Sequence, residues 1–388
     1  MPDAIKAPPI PLSRPAMSAA EEAAAVAVLR SGWLTSGPKV KEFEAAFAAA
    51  TGVADAIATS SGTAALHVGL HALGVGPGDE VITPSLTWVS APNVICQTGA
   101  RPVFCEVDPT TLDIDLDDVA RLVTSRTKVI MPVDFGGRAV AMAPLMAFAR
   151  ARGLHVLEDA SHAIGAVLHG RPVGSLADLT AFSFHPNKNI TTGEGGMLVG
   201  NDPDLIRRSR SFRYHGVTRD SLNRHRNQGM LDYDAAAPGL KLVMGDIAAA
   251  VGLVQLGRLE AFITDRARLA DAYFQGLAPF ANAITLPARE DRPDCRHAWH
   301  LFTIRLPDRD GLRDRLAAAL AEAAIGSGWH YRPVHELAWV VERGFSRPMP
   351  CTEAIGRTIL SLPLFPSLGL DDVERVCATV GRFLEEQA

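Results

Sequence analysis

The chain has 388 residues, 47% of them hydrophobic and 21% charged, the balance of an ordinary globular enzyme with room for a large domain and a smaller one. It carries 38 basic against 43 acidic side chains, a formal charge of −5. That argues against nucleic acid as a main partner, which calls for a basic patch or stripe, but leaves open a small anionic ligand that needs only local positive groups.

A proline-rich arm (1–20) is followed by a helix over Ser18–Arg30, with Ser18 as its cap and two glutamates near its start. From about residue 54 the pattern becomes strand, turn, helix, repeated. Apolar runs at 80–84, 102–107, 128–133 and 155–159 read as buried strands, and helical stretches such as 141–153 lie between them. Such alternation predicts a mostly parallel sheet covered on both faces. One long helix is expected from Asp246 to Leu277, then a strand at 299–306 and helices at 310–324 and 370–386. The expected organisation is the arm, a large domain over 21–250, and a small α+β domain over 251–388 that begins within the long helix.

Five cysteines (Cys96, Cys105, Cys295, Cys351 and Cys377) are widely spaced and form no C-x-x-C pair. This argues against a disulfide framework or thiolate zinc site and for a reducing compartment. The N-terminus lacks the apolar stretch of a signal peptide, and no run reaches the roughly 18 apolar residues of a membrane span. A cytoplasmic protein is expected. His330 and His335 flank a proline and lack helical zinc spacing, so no metal is expected. Gly74, Gly76 and Gly78 precede a strand with no helix after it, which disfavours a dinucleotide loop.

Lys188 follows an apolar strand and precedes a glycine-rich turn, in Ser183-Phe-His-Pro-Asn-Lys188. Most lysines are solvated surface groups, but this one sits just past a strand end, where α/β folds place ligands. A partly desolvated lysine has a lowered pKa, and its neutral amine can attack an aldehyde. Asp159 ends the run HVLED; it reads either as a capping carboxylate or as the partner of a pyridine nitrogen in a pyridoxal phosphate (PLP) site. His162 is either a structural histidine or a contact to the ring hydroxyl. Gly62 and Thr63 open a helix after Ser60-Ser61, where free N–H groups favour an anion. Ser183 could add a hydroxyl to the same phosphate, and Trp88 either stacks on the ring or belongs to the core.

These segments, in this order, resemble the DegT/StrS-type aminotransferases. The similarity rests on SGWLTSGPKVKEFE (31–44), SGTAALHVGLHALGVGPGDEVITPSLTWVS (61–90), PVFCEVDPTTLDID (102–115), EDASHAIGA (158–166), SFHPNKNITTGEGG (183–196), DIAAAVGLVQL (246–256), HAWHLFTIRL (297–306) and SLPLFPSL (361–368). The resemblance implies a PLP fold-type-I (aspartate-aminotransferase-like) α/β large domain, and a homodimer with active sites built from both subunits. It also implies amino transfer from L-glutamate to a nucleotide-linked keto-sugar, a 4-keto sugar foremost. Lys188 matches the family's Schiff-base lysine and Asp159 its ring-nitrogen partner. Ser183, Gly62 and Thr63 match phosphate contacts, Trp88 the stacking aromatic and His162 the residue near the ring hydroxyl.

One departure is visible. Many members carry G-x-N-x-R-M before D-I, whereas this chain has Gly239-Leu-Lys-Leu-Val-Met244. Lys241 replaces the asparagine that reaches the partner's PLP phosphate, where it would serve as a point charge. Trp33, Leu34, Thr35, His330 and Tyr331 are the expected sugar-facing residues. Three other functions stay open: a PLP-dependent sugar dehydratase, against which Lys188 counts because family dehydratases that remove a 3-hydroxyl carry histidine there; a simple amino-acid aminotransferase, which calls for an arginine clamp on the α-carboxylate that no arginine is clearly placed to supply; and a PLP-binding regulatory protein without turnover.

Overall fold

The computed structural model describes residues 8–217 and 234–387; residues 1–7 of the expected arm lie outside the described residues. Helix α1 (Ala19–Ser31) starts where expected. Ser18 Oγ accepts from Ala20 N–H and the Glu21 carboxylate accepts from Ser18 N–H, a reciprocal cap. Glu21 is buried and its carboxylate also accepts from Gln255 and Arg258, each at 2.6 Å, which binds α1 to the helix Asp246–Gly257.

The central sheet has seven strands: β1 (Asp55–Thr59), β2 (Glu80–Pro84), β3 (Arg101–Cys105), β4 (Thr127–Ile130), β5 (His155–Asp159), β8 (Leu179–Ser183) and β9 (Gly196–Gly200). A small hairpin of β6 (Val167–Leu168) and β7 (Arg171–Pro172) stands apart. The sheet order is β1-β9-β8-β5-β4-β2-β3. Only β9 runs antiparallel to its neighbours, because β8 and β9 are joined by a loop rather than a crossover helix. Alternation along each strand fills two cores. Ala56, Ile82, Ile130, Val156 and Phe182 face one, and Ile57, Val81, Val129, Leu157 and Ala181 face the other. The parallel geometry brings the C-terminal ends of β2, β4, β5 and β8 to one rim.

The expected single helix over 246–277 is two helices, Asp246–Gly257 and Leu259–Leu277, bent by 59°. The break has a local cause. Gly257 weakens the helix at that point, and the Arg258 guanidinium is held by Ala16 O and Glu21. Leu259, Phe262 and Ile263 then pack on the first core, while Leu269, Tyr273, Phe274 and Leu277 enter a separate C-terminal core. That core lies against the antiparallel pair β10 (Phe302–Arg305) and β11 (Ile359–Leu362) and the helix Leu370–Glu385. Ile10 of the arm packs there beside Ile325. The strand expected from 299 begins only at Phe302, since Trp299 has a left-handed backbone and the His300 and Leu301 amides donate to Gly136 O. No single described helix is long and apolar enough to cross a membrane.

Candidate active site

Strand β5 delivers Asp159 to the rim, 5% exposed. Its Oδ1 accepts from Ser161 N–H at 3.1 Å. Burial raises its pKa, and the nearby Lys188 charge partly offsets that. Strand β8 delivers Ser183 and then the loop that carries Lys188. That loop is fixed at several points. Phe184 N–H donates to Gly195 O, Thr191 Oγ1 donates to Phe184 O, and Asn189 Nδ2 donates to Ala298 O at 2.8 Å.

Lys188 is half-buried by surface area, just past a strand end, where α/β folds form their ligand cleft. Desolvation brings its pKa down to about 8, against a smaller upward pull from Asp159. Its charge is felt at His162, His300 and His330, and lowers the pKa of each beyond what burial does. Among the described residues it forms no ion pair or side-chain hydrogen bond; the amine is left for a ligand.

The phosphate-cradle candidates meet at the start of α3 (Gly62–Ala72). Ser61 Oγ caps this helix by accepting from Ala64 N–H at 3.0 Å. Gly62 is buried and Thr63 exposed. A Cβ placed on Gly62 would lie 2.7 Å from Ser183 Cβ and 3.1 Å from Ser183 Oγ, so the helix start and the β8 end are in direct contact. Only glycine fits there.

Trp88, just after β2, is 59% exposed, and its ring centroid lies 5.8 Å from that of Tyr331. A free indole face in a cleft is a platform rather than a core packing element. His162 is buried and held neutral, first by desolvation and then by Lys188. Gly136 N–H donates to its Nδ1 at 3.3 Å, so the neutral ring carries its proton on Nε2, which donates to Tyr331 Oη at 3.0 Å. Both ring nitrogens of His162 are thus engaged within the protein. Tyr331, buried beside it, is the group whose hydroxyl proton remains to be donated. His330 Nδ1 bonds Ser361 Oγ at 2.8 Å, and burial with the Lys188 charge brings its pKa down to about 4.

Other candidates stand apart from this cluster. Trp33, Leu34 and Thr35 are all exposed on the connection between α1 and α2 (Pro38–Thr51), which is tied down by Leu34 O accepting from Asp246 N–H and by a Thr35–Gly245 bridge. Lys241 is exposed on a segment paired with Tyr214, and no contact among the described residues joins it to Lys188 or Asp159. His300 was not singled out from sequence, although it lies in the motif HAWHLFTIRL. It is 4% exposed, with its ring 4.3 Å from that of His162.

The residues present fit PLP. An unpaired, desolvated amine faces a buried carboxylate, beside a glycine-lined helix start and an exposed aromatic face. Fold and site together define a fold-type-I PLP-dependent enzyme. Residues 15–381 match the model of the DegT/DnrJ/EryC1/StrS aminotransferase family, and the chain belongs to that family; it is a PLP-dependent aminotransferase. Among solved structures it is similar to Spr1654 from Streptococcus pneumoniae in its PMP form, assigned as a sugar aminotransferase, at 32% identity over 98% of this chain and 100% of that one, TM-score 0.92. It is likewise similar to the aminotransferase TlmJ from Streptoalloteichus hindustanus, at 34% identity over 97% and 99% of the two chains, TM-score 0.88. A third is PseC of Helicobacter pylori, an aminotransferase involved in pseudoaminic acid biosynthesis, at 25% identity over 98% and 100%, TM-score 0.87.

Proposed function

We propose that the chain moves an amino group from L-glutamate to a nucleotide-linked keto-sugar, foremost a 4-keto sugar. The observation that carries the transfer chemistry is the desolvated Lys188 amine facing buried Asp159. The sugar acceptor is supported by Spr1654 and PseC, whose own assignments concern sugars.

In this reading Asp159 holds the ring nitrogen protonated, Gly62, Thr63 and Ser183 hold the phosphate, and Trp88 stacks on the ring. PLP, when bound, supplies the electron sink that acidifies the amino-bearing carbon. The Lys188 amine would take the proton from that carbon and return it on the other side of the exchange. A pKa near neutrality suits it to both directions. His162 keeps one tautomer, which presents the Tyr331 hydroxyl to the cleft beside His330, where the sugar would bind.

A homodimer with shared sites accounts for the residues that one chain leaves outside the cluster. Trp33 and Leu34 are 40% and 50% exposed, and Met17 and Leu29 of the same region 53% and 55%. Large apolar groups left in water mark an interaction surface. Lys241 would then serve the partner's phosphate.

The test is a half-reaction experiment. Protein loaded with pyridoxamine phosphate is mixed with a panel of nucleotide keto-sugars and followed by absorbance, with glutamate reduction of the PLP form as the reverse arm. Lys188→Ala should still bind pyridoxamine phosphate but lose turnover; retention above about 5% of the wild-type rate, more than the roughly 10²–10⁴-fold loss of a positioned acid–base group permits, would refute the role of Lys188. Turnover with simple 2-keto acids alone would refute the sugar acceptor.

A further inference from the structure

Behind Asp159 lies a group of acids that the chemistry above does not use. Asp134, just past β4, and Glu158, on β5, are 0% and 1% exposed. The Asp134 N–H donates to Asp159 O at 3.1 Å, so the three residues are joined through the backbone as well as the sequence. Asp134 Oδ1 accepts from Val140 N–H at 2.9 Å, and Glu158 Oε2 accepts from Thr180 Oγ1 of β8 at 2.7 Å. The second Asp134 oxygen, Oδ2, is sealed from solvent and meets no donor, while the two acid side chains lie within hydrogen-bonding reach of each other.

The charged groups around the pair offer no cation to neutralise it. Arg138 is taken by Asp113 at 2.7 Å, Lys188 faces Asp159 instead, and His162 is neutral. Neither acid pairs with a lysine or arginine among the described residues. Two dry carboxylates in contact cannot both be ionised, since each pays for desolvation and for the other's charge. A proton held between them also supplies the donor that Asp134 Oδ2 lacks.

We infer that Asp134 and Glu158 share a proton at neutral pH, and that this pair acts as a positioning element for Asp159. By limiting its own charge to one, it leaves Asp159 as the carboxylate facing the cofactor nitrogen. Burial and the neighbouring acids push both members upward from the ordinary carboxylate range. The action on Asp159 rests on the proposed role of that residue; the shared proton does not.

Infrared spectroscopy of the apoprotein, with hydrogen–deuterium exchange, reads the proton directly. The wild type should show the C=O stretch of a protonated carboxyl at neutral pH. Glu158→Gln and Asp134→Asn should each lose that band, while Asp159→Asn keeps it, with near-UV circular dichroism confirming the fold of each. Absence of the band from the wild type, or its survival in either single variant, overturns the shared proton.

The PLP-loaded protein reads the action on Asp159. Each single variant keeps one negative charge, so the pH midpoint of the cofactor absorbance should stay in place. The double variant is neutral, and its midpoint should move to lower pH, because less negative surroundings hold protons less tightly. An unmoved midpoint in the double variant overturns the positioning role. If Asp159→Asn also leaves the midpoint and turnover unchanged, the reading of Asp159 itself has failed, whatever the infrared result.

Discussion

The pKa of Lys188 makes a quantitative claim about how the apoprotein meets its cofactor. With the value brought down to about 8, about one quarter of the amines are neutral near pH 7.5, against about 0.1% for an ordinary lysine at about 10.4. Covalent uptake of PLP should therefore be on the order of 200-fold faster than at a solvated lysine. Its rate should rise with pH and level off above about 8. Borohydride trapping followed by intact mass measures this.

Stability carries the same information. The native pKa lies below the unfolded one, so the unfolded chain binds more protons between the two values, and stability rises with pH through that window. From about 8 to 10.5 the gain is about 3 kcal/mol, an upper bound because the cleft is open to water. Lys188→Met should remove this rise and leave the apoprotein more stable than wild type at neutral pH, less what Asp159 loses with its nearest cation. Urea denaturation of both proteins across this pH range tests it. Uptake still climbing tenfold per pH unit beyond pH 9, with no stability gain in the variant, would refute the desolvated amine.

Three further outcomes are expected. Gly62→Val should cost at least tenfold in PLP affinity, about 1.4 kcal/mol, because the added carbon meets Ser183 at 2.7 Å; a fluorescence titration matching wild type would remove the α3–β8 contact from the cradle. Asp246 accepts from Gly37 N–H at 2.5 Å and Lys39 N–H at 3.0 Å at the start of α2, so Asp246→Ala should destabilise by about 1–3 kcal/mol through unsatisfied buried groups. A midpoint shift in urea near zero would refute that. Tyr331→Phe should leave PLP uptake intact and raise KM for the sugar more than for glutamate, since its hydroxyl is already fixed by His162; equal changes in both would place Tyr331 at the cofactor instead.

By itself the sequence determined the alternating strands and helices, because short continuous apolar runs between helical stretches are a local signal of buried parallel strands. It also put Asp159 and Ser183 at or near strand ends with Lys188 shortly after, although the strands expected at 102–107 and 128–133 stop at Cys105 and Ile130. Only the tertiary structure decided what surrounds the Lys188 amine. His162, His300 and His330, which feel its charge, come from segments far apart in the chain. The break at Arg258 was equally hidden, since it turns on an arginine reaching Ala16 and Glu21, more than 230 positions away. Asp134 and Glu158 were invisible as a pair for the same reason. Their spacing in sequence carries no period, and only the parallel pairing of neighbouring strands puts two acids in one dry space.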